Sequence, residues 1–394
     1  GWSGPLLIKK AHQYYDALVN GLDPVEEEES TYLAAQRHYL QQKESVRAFW
    51  KSKTREITQT NDLSAMLDRQ GKLHNIVIEN PFECQLSITG SAYSYLKRSA
   101  QRLGVTLNAV MQFAWHKLIQ IYTQDEQTVV GTIVSGRDIN VEGIQESVGL
   151  YINTLPLAIN WHETATVAEM LCQVQQSVAQ LNSNSTVMLG DLQNCGESLF
   201  HSLIDFESGP SIVNSSKQTS VSDERSISHK ATISPTIEKV DYPLSLLVSE
   251  QANDQLLTIK LCAGDDILSI ERAQRLLDQI KQLIDLVSTS PNLIHSDIEL
   301  ADELERELLL HTFNKNHAEF PKNSTLDQLF TEQANKTPDA CALVFNDKRM
   351  TYRELNDKVD ALAKKLRVEF KNSTNREVEA DTLFALYLDR GFEM

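Results

Sequence analysis

The sequence has no CxxC pair, no Cys/His cluster at zinc spacing, and no apolar run approaching the ~18 residues that span a bilayer. Each gap excludes a class. The five cysteines, Cys84, Cys172, Cys195, Cys262 and Cys341, are scattered, which argues against a disulfide scaffold and for reduced thiols in a cytoplasmic protein. Positive charge is scarce as well. Lys and Arg number 37 against 54 Asp and Glu, for a net charge of −17. An acidic surface repels phosphate backbones, so neither nucleic acid nor a membrane is an expected partner. The opening GWSGPLLIKK has no basic leader before its short apolar patch and no cleavage site after it. Residue 1 is not Met, and the expectation is a stretch from inside a longer chain.

What is present is an ordinary globular composition, 41% hydrophobic over 394 residues, enough for two domains and part of a third. Ser3-Gly4-Pro5 opens an amphipathic helix with Leu7, Ala11, Tyr14, Tyr15 and Leu18 at helical spacing. The acidic run Glu26–Glu29 reads as a solvated loop. A second helix covers 31–51, with Leu33, Tyr39, Leu40, Val46, Phe49 and Trp50 as candidate core, and a polar connector follows to Gly71. From Asn75 strands and helices alternate. Strands are expected at 75–79, 84–89, 128–135, 148–160, 200–206, 244–248 and 256–263, and helices at 91–103, 106–122, 167–181 and 270–287. That alternation predicts an α/β layered domain. The Ser/Thr-rich stretch 210–239 reads as a long loop. After a linker, a fresh pattern begins: helix 325–335, strand 342–345, helix 351–367 and strand 382–388. In MTYREL, Thr351 and Glu354 form a capping box, and Leu355, Val359, Leu362 and Leu366 continue an apolar face.

One segment is unusual. In VGLYINTLP (148–156) a strand-like run carries an amide, Asn153, and a hydroxyl, Thr154, just before Pro156. Buried polar groups are costly unless paired. A strand end of this kind delivers polar side chains to a cleft wall and then stops the ladder.

Several motifs, in order, resemble one family: the nonribosomal peptide synthetases, across the junction from condensation to adenylation domain. GWSGPLL looks like the tail of the condensation signature HHxxxDGWS. VVGTIVSGRD resembles the strand that ends in SGR. VGLYINTLP is similar to (V/I)GxF(I/V)NTxP, with Tyr151 where Phe is usual. DYPLSLLV looks like the YPL strand, and ERELLLHTFNKNHAEFP like the usual linker. TLDQLFTEQANKTPDACALVFNDKRMTYRELN resembles the opening of an adenylation domain. GWSGPL and VGLYINT differ from the DGVSWR and VGWFT of epimerisation domains, and Gly1 differs from the heterocyclisation pattern.

The resemblance implies a chloramphenicol-acetyltransferase-like α/β fold. Residues 1–60 end the condensation domain's N-lobe, 61–300 form its C-lobe, 301–324 link, and 325–394 begin an adenylate-forming α/β domain that is cut off at Met394. The implied reaction is aminolysis of a donor acyl or peptidyl thioester by an acceptor aminoacyl thioester, both on the phosphopantetheine arms of carrier proteins. The upstream and downstream carriers and the adjoining adenylation domain are the implied partners. No metal or bound cofactor is implied for the condensation step; ATP and Mg belong to a complete adenylation domain. Family logic places a histidine beside the attacking amine, in a pair expected just ahead of Gly1, and Gly1 is the remnant of that signature. None of the ten histidines, His12, His38, His74 and His116 among them, recreates the pair. Trp2 is expected to pack under the first helix. Asn153, Tyr151 and Arg137 are the implied tunnel residues. Asn153 is either a structural cap or a substrate contact, and Arg137 either an ion-pair partner in the tunnel wall or a positioning group. Two alternatives stay open: a catalytically silent docking module for carrier proteins, and a stand-alone acyltransferase of the chloramphenicol acetyltransferase type.

Overall fold

The larger part of the molecule is built around one helix, α4 (Leu107–Thr123), in which every residue from Ala109 to Ile119 is buried. A helix buried on all sides belongs inside a core, even with Gln112, His116 and Lys117 along it. Thr106 caps it, its Oγ1 accepting from the Ala109 N–H at 3.1 Å, and Gln124 ends it in the left-handed region. The structure is a computed structural model that describes residues 3–24, 30–69, 78, 80–193, 198–207, 241–301 and 303–394.

In chain order the first unit runs α1 (Ser3–Val19), α2 (Thr31–Glu56), β1 (Pro81–Thr89), α3 (Gly90–Arg102), α4, β2 (Gln127–Val134), β3 (Asn153–Asn160), α5 (Val167–Ser183), α6 (Leu189–Leu192), β4 (Ser202–Glu207), β5 (Leu244–Gln251), β6 (Leu256–Gly264) and α7 (Ile270–Thr289). The six strands form a mixed sheet in the order β1-β6-β5-β4-β2-β3. β2, β4 and β5 run parallel to one another; β1 with β6, β6 with β5, and β2 with β3 pair antiparallel. The central β2 is buried along nearly its whole length, whereas the edge strand β1 alternates. A parallel interior covered on both faces and a half-covered edge differ in this way. α4 lies between α5 and α7 and rests on β2 and β4, while α3 and α7 rest on β1.

One glycine in this core is required by space. A Cβ on Gly131 of β2 would stand 2.2 Å from the ring of Phe200, which itself stacks on Tyr242. The β-branched run TVVGTIV therefore carries its single small residue where an aromatic ring crosses the strand.

In the first unit, sequence pattern and structure part company at three places. Of the expected core residues in α2, Val46 and Trp50 are buried, but Leu33 and Leu40 stand exposed; in α1 no residue is buried. Helical periodicity shows that a face is apolar, not that anything covers it. α2 also continues into the expected polar connector as far as Glu56, with no break before Ile57. The strand expected at 148–160 begins only at Asn153; before it, Tyr151 packs against Tyr32 and Ala35 of α2, while Leu150 and Ile152 stand exposed. The strand expected at 75–79, apart from Ile78, and the long loop at 210–239 lie outside the described residues.

Residues 301–394 form a second unit. It contains the short α8 (Glu303–Glu307), followed by a π-turn, then α9 (Leu326–Lys336), a hairpin of β7 (Cys341–Phe345) and β8 (Lys348–Thr351), and α10 (Tyr352–Thr374). The expected capping box is present: the Thr351 N–H donates to Glu354 Oε2 at 2.9 Å and Thr351 Oγ1 accepts from the Glu354 N–H at 3.3 Å. MTYREL thus joins a strand end to a helix start. The strand expected at 382–388 does not form. An apolar run becomes a strand only where a neighbour takes its backbone hydrogen bonds, and the β7–β8 hairpin does not extend to it.

The Gly131 packing makes a prediction. Gly131→Ala forces a methyl against the Phe200 ring and should cost about 1–3 kcal/mol, read as a lower denaturant midpoint at unchanged m-value. Adding Phe200→Leu should recover part of that loss. Full additivity of the two changes would place the ring elsewhere.

Candidate functional site

Three of the sequence motifs meet at one place. The loop from Ser135 to Ile152 leaves β2, crosses α2 and returns to β3, and it carries both SGR and VGLY. Gly136 turns it at φ +65°, where a Cβ would stand 2.1 Å from the Tyr151 carbonyl oxygen; only glycine fits. The phenol of Tyr39 on α2 donates to the Gly136 carbonyl at 2.6 Å. Burial raises the Tyr39 pKa, the neighbouring Tyr151 phenol adding to the effect and the Arg137 charge opposing it. A raised value keeps the phenol protonated, as a donor must be.

Arg137 follows. Its side chain is only 3% exposed. The guanidinium donates to the carbonyl of Ile144, reaches Ser3 Oγ at 3.4 Å, and lies over the Tyr151 ring at 4.2 Å. Desolvating this cation strengthens its attraction to the ring face. Tyr151 is held in turn by Ser147, hydroxyl to hydroxyl at 2.6 Å, and by the ring of Tyr32 at 5.3 Å, edge to face. Ser3, the first residue of α1, donates to the Gly149 carbonyl at 3.1 Å and accepts from the Gly149 N–H at 3.3 Å. Gly149 itself has no room for a side chain, since a Cβ would meet the Tyr32 ring at 2.3 Å.

Asn153 belongs to different surroundings. Its Nδ2 donates to the carbonyls of Ser185 (2.8 Å) and Val187 (2.5 Å), and its Oδ1 accepts from the N–H of Thr154 at 2.9 Å. Both amide protons are therefore committed to backbone. The reason lies in the sheet. β3 is an edge strand. Trp161 donates its N–H to Glu126 O, which makes that pair a hydrogen-bonded one. Counting by twos along the register then turns the backbone groups of 154, 156, 158 and 160 away from β2. Asn153 covers the Thr154 N–H, Pro156 has none, and the Asn160 carbonyl accepts from Gln173 at 3.0 Å. The Asn-Thr-Leu-Pro order shields an open edge.

Of the sequence-predicted residues, the structure brings Arg137 and Tyr151 together and gives Asn153 a bracing role beside them; Gly1 and Trp2 lie outside the described residues. Sequence reasoning missed Tyr32, Ala35 and Ser147 in this cluster. Tyr32, Ala35 and Tyr39 sit at i, i+3 and i+7, one face of α2, which is the signal that was available. The named histidines do not converge. His12 is exposed, His38 bonds Gln42 on its own helix at 3.0 Å, and His74 lies outside the described residues. His116 is fully buried against Thr128 at 2.8 Å, and burial pushes its pKa down to about 3. A groove of about 150 Å³ runs beside the outer edge of β3. Its charged residues, Lys53 and Glu56, pair with each other at 2.9 Å. Among the described residues no three His, Cys, Asp or Glu side chains converge as a metal site, and no helix is long and apolar enough to cross a membrane.

Comparison with known proteins shows the family and the fold. Residues 1–310 match the condensation domain family, and the chain belongs to it. The chain is 32% identical over 406 residues to N-(5-amino-5-carboxypentanoyl)-L-cysteinyl-D-valine synthase of Amycolatopsis lactamdurans, covering 99% of this chain and 11% of that protein. It is 27% identical over 401 residues to bacitracin synthase 3 of Bacillus licheniformis, covering 100% of this chain and 6% of that one. The chain thus spans about a tenth or less of these curated relatives. Among solved structures, the first condensation domain of the CDA synthetase superposes with a TM-score of 0.55 at 15% identity, over 76% of this chain and 64% of that one. The nonribosomal peptide synthetase FmoA3 gives 0.62 at 15%, over 83% and 35%. The fold is the chloramphenicol-acetyltransferase-like condensation fold, with its mixed sheet and packed helices. Condensation domains of peptide synthetases catalyse amide-bond formation.

The Asn153 geometry makes a prediction. Asn153→Ala uncovers two carbonyls and one N–H in a half-buried setting and should cost about 1–3 kcal/mol of stability. Asn160→Ala, at an exposed strand end where Asn160 accepts one bond from Gln127 at 2.7 Å, should cost less than about 0.5 kcal/mol. Chemical denaturation of both variants decides; equal losses would remove the bracing role.

Proposed function

We propose that this chain is part of a nonribosomal peptide synthetase, and that its condensation unit joins a donor acyl or peptidyl thioester to an acceptor aminoacyl thioester. Both substrates ride on phosphopantetheine arms of carrier proteins. The acceptor amine attacks the donor carbonyl; a C–N bond forms, the C–S bond breaks, and the thiol leaves on the donor arm while the amine gives up a proton. Positioning the two arms and stabilising the oxyanion are the main demands of such a reaction.

The observation that carries the reading is the convergence of GWS, SGR and VGLY on Ser3, Arg137 and Tyr151. These residues do no chemistry themselves. Ser3 ties the start of α1 to Gly149; Arg137 and Tyr151 hold the loop it leans on. Tyr151 and Arg137 are therefore assigned as wall residues of the substrate tunnel, and Asn153 as the brace at its rim. Residues 325–394 are proposed as the opening of an adenylation domain, on the strength of the motif that ends in TYREL. ATP and magnesium, which a complete adenylation domain needs, are assigned no residues of this chain. A cytoplasmic location fits the reduced cysteines but is also a proposal.

The test is a carrier-protein assay. The synthetase that carries this chain, given donor and acceptor aminoacyl carrier proteins, should form dipeptide; the 394 residues alone, which contain no HHxxxD sequence, should form none above background. Carrier binding without product by the synthetase would favour the silent docking module. Transfer from a soluble acyl thioester to a free small molecule, with carrier-bound substrates inert, would favour the stand-alone acyltransferase.

A further inference from the structure

At the opposite end of β2 from the Arg137 cluster lies a second polar group that the condensation chemistry does not use. Lys117 of α4 is 2% exposed and His295 is equally buried. Lys117 Nζ meets His295 Nδ1 at 3.1 Å, reaches Gln120 Oε1 at 2.7 Å and stands over the Trp161 ring at 5.3 Å. No carboxylate lies within ion-pair distance of it among the described residues. His295 Nε2 is 2.9 Å from the carbonyl oxygen of His162.

That last contact settles the protonation of the ring. A carbonyl only accepts, so Nε2 carries the proton, and the Nδ1 lone pair accepts a hydrogen bond from the Lys117 ammonium. The imidazole is neutral and its tautomer is fixed. Protonating Nδ1 would turn an N–H toward an ammonium and replace an attraction by a repulsion.

His295 is well placed for this to matter. It lies in the segment 291–300, through which the chain leaves the first unit. That segment is tied to the turn before α5 by backbone bonds: His295 N–H to Ala165 O, Val167 N–H to Leu293 O, and Ala168 N–H to Pro291 O, each at 2.9 Å. Ser296 Oγ adds a bond to Glu163 O at 3.0 Å. The Lys117–His295 contact is a side-chain hydrogen bond from this segment to the core helix α4.

We propose that Lys117 and His295 form a proton-sensitive clamp that holds the exit segment 291–300 to α4 while His295 is neutral and releases it when His295 is protonated. The titratable groups bearing on His295 are Lys117 from α4 and His162 from the preceding turn. Among the described residues, no carboxylate acts on His295 with them; those on the adjoining turns are Glu169, which accepts from Thr166, Asp297, which accepts from Ser296, and the exposed Glu163. His116, next to Lys117, faces Thr128. Burial, and then the Lys117 charge, hold the His295 pKa below its ordinary value; burial pushes Lys117 down to about 8. A histidine whose folded pKa is lowered contributes stability that is complete above its unfolded value of 6.5 and is lost as pH falls toward the folded value. The clamp therefore opens on acidification.

The experiment uses the 394-residue chain labelled with ¹⁵N-histidine, with hydrogen exchange of the 291–298 peptides followed across pH and corrected for intrinsic rates. At neutral pH His295 should show the Nε2–H tautomer. Protection should fall by up to about tenfold per pH unit between the ordinary histidine value and the folded one. His295→Gln keeps a donor for His162 O and an acceptor for Lys117 but cannot titrate, so its protection should be flat over the same range. Lys117→Met should move the His295 midpoint upward. An Nδ1–H tautomer, a pH dependence that persists in His295→Gln, or an unmoved midpoint in Lys117→Met would each overturn the clamp. If His295→Gln does not fold, the wild-type tautomer and the Lys117→Met titration still decide.

Discussion

A buried guanidinium is the constraint on which the Ser3 end of the molecule depends. Arg137 cannot be left without partners in a dry site, and the chain around it is arranged to supply them. The turn at Gly136 aims it, the Ile144 carbonyl and the Ser3 hydroxyl receive its protons, and the Tyr151 ring receives its face. Those partners come from α1 and from the middle and far end of the β2–β3 loop, while Tyr32 and Tyr39 on α2 buttress the loop itself. Segments far apart in sequence are thereby fixed against one another by a single cation.

The neighbouring Asn-Thr-Leu-Pro run solves a different problem next door. An edge strand must deal with outward backbone groups. β3 does so with one side-chain cap, one missing donor and one glutamine from α5. The same Asn153 that covers the edge also pins the turn at 185–187. Edge protection and the shape of the rim are thus one feature.

How much of this the sequence discloses varies by residue. Buried strands and α4 are legible because their patterns are continuous and rich in β-branched or apolar residues. The capping boxes at Thr166 and Thr351 involve residues three apart, and the Thr351 box is readable from the sequence for that reason. Long-range partners are not readable. Nothing in TYLAAQRHY states that Tyr32 will meet the ring of Tyr151, or that Ser3 will reach across to Gly149. VGLYI has strand composition, yet tertiary packing of Tyr151 takes it out of the ladder. The apolar run at 382–388 fails for the converse reason, lacking a strand to pair with. For the site, the motifs single out Arg137, Tyr151 and Asn153, while the contact of the first two and the separate surroundings of the third emerge only from the three-dimensional arrangement.

The most direct test of the central claim is a double-mutant cycle between Arg137 and Tyr151, using Arg137→Met and Tyr151→Leu and reading unfolding free energy. A desolvated cation–π contact at the heart of the cluster predicts a coupling of about 1–2 kcal/mol. Additivity within about 0.3–0.5 kcal/mol would mean that the two residues are merely adjacent, and that the guanidinium does not hold this end of the molecule together.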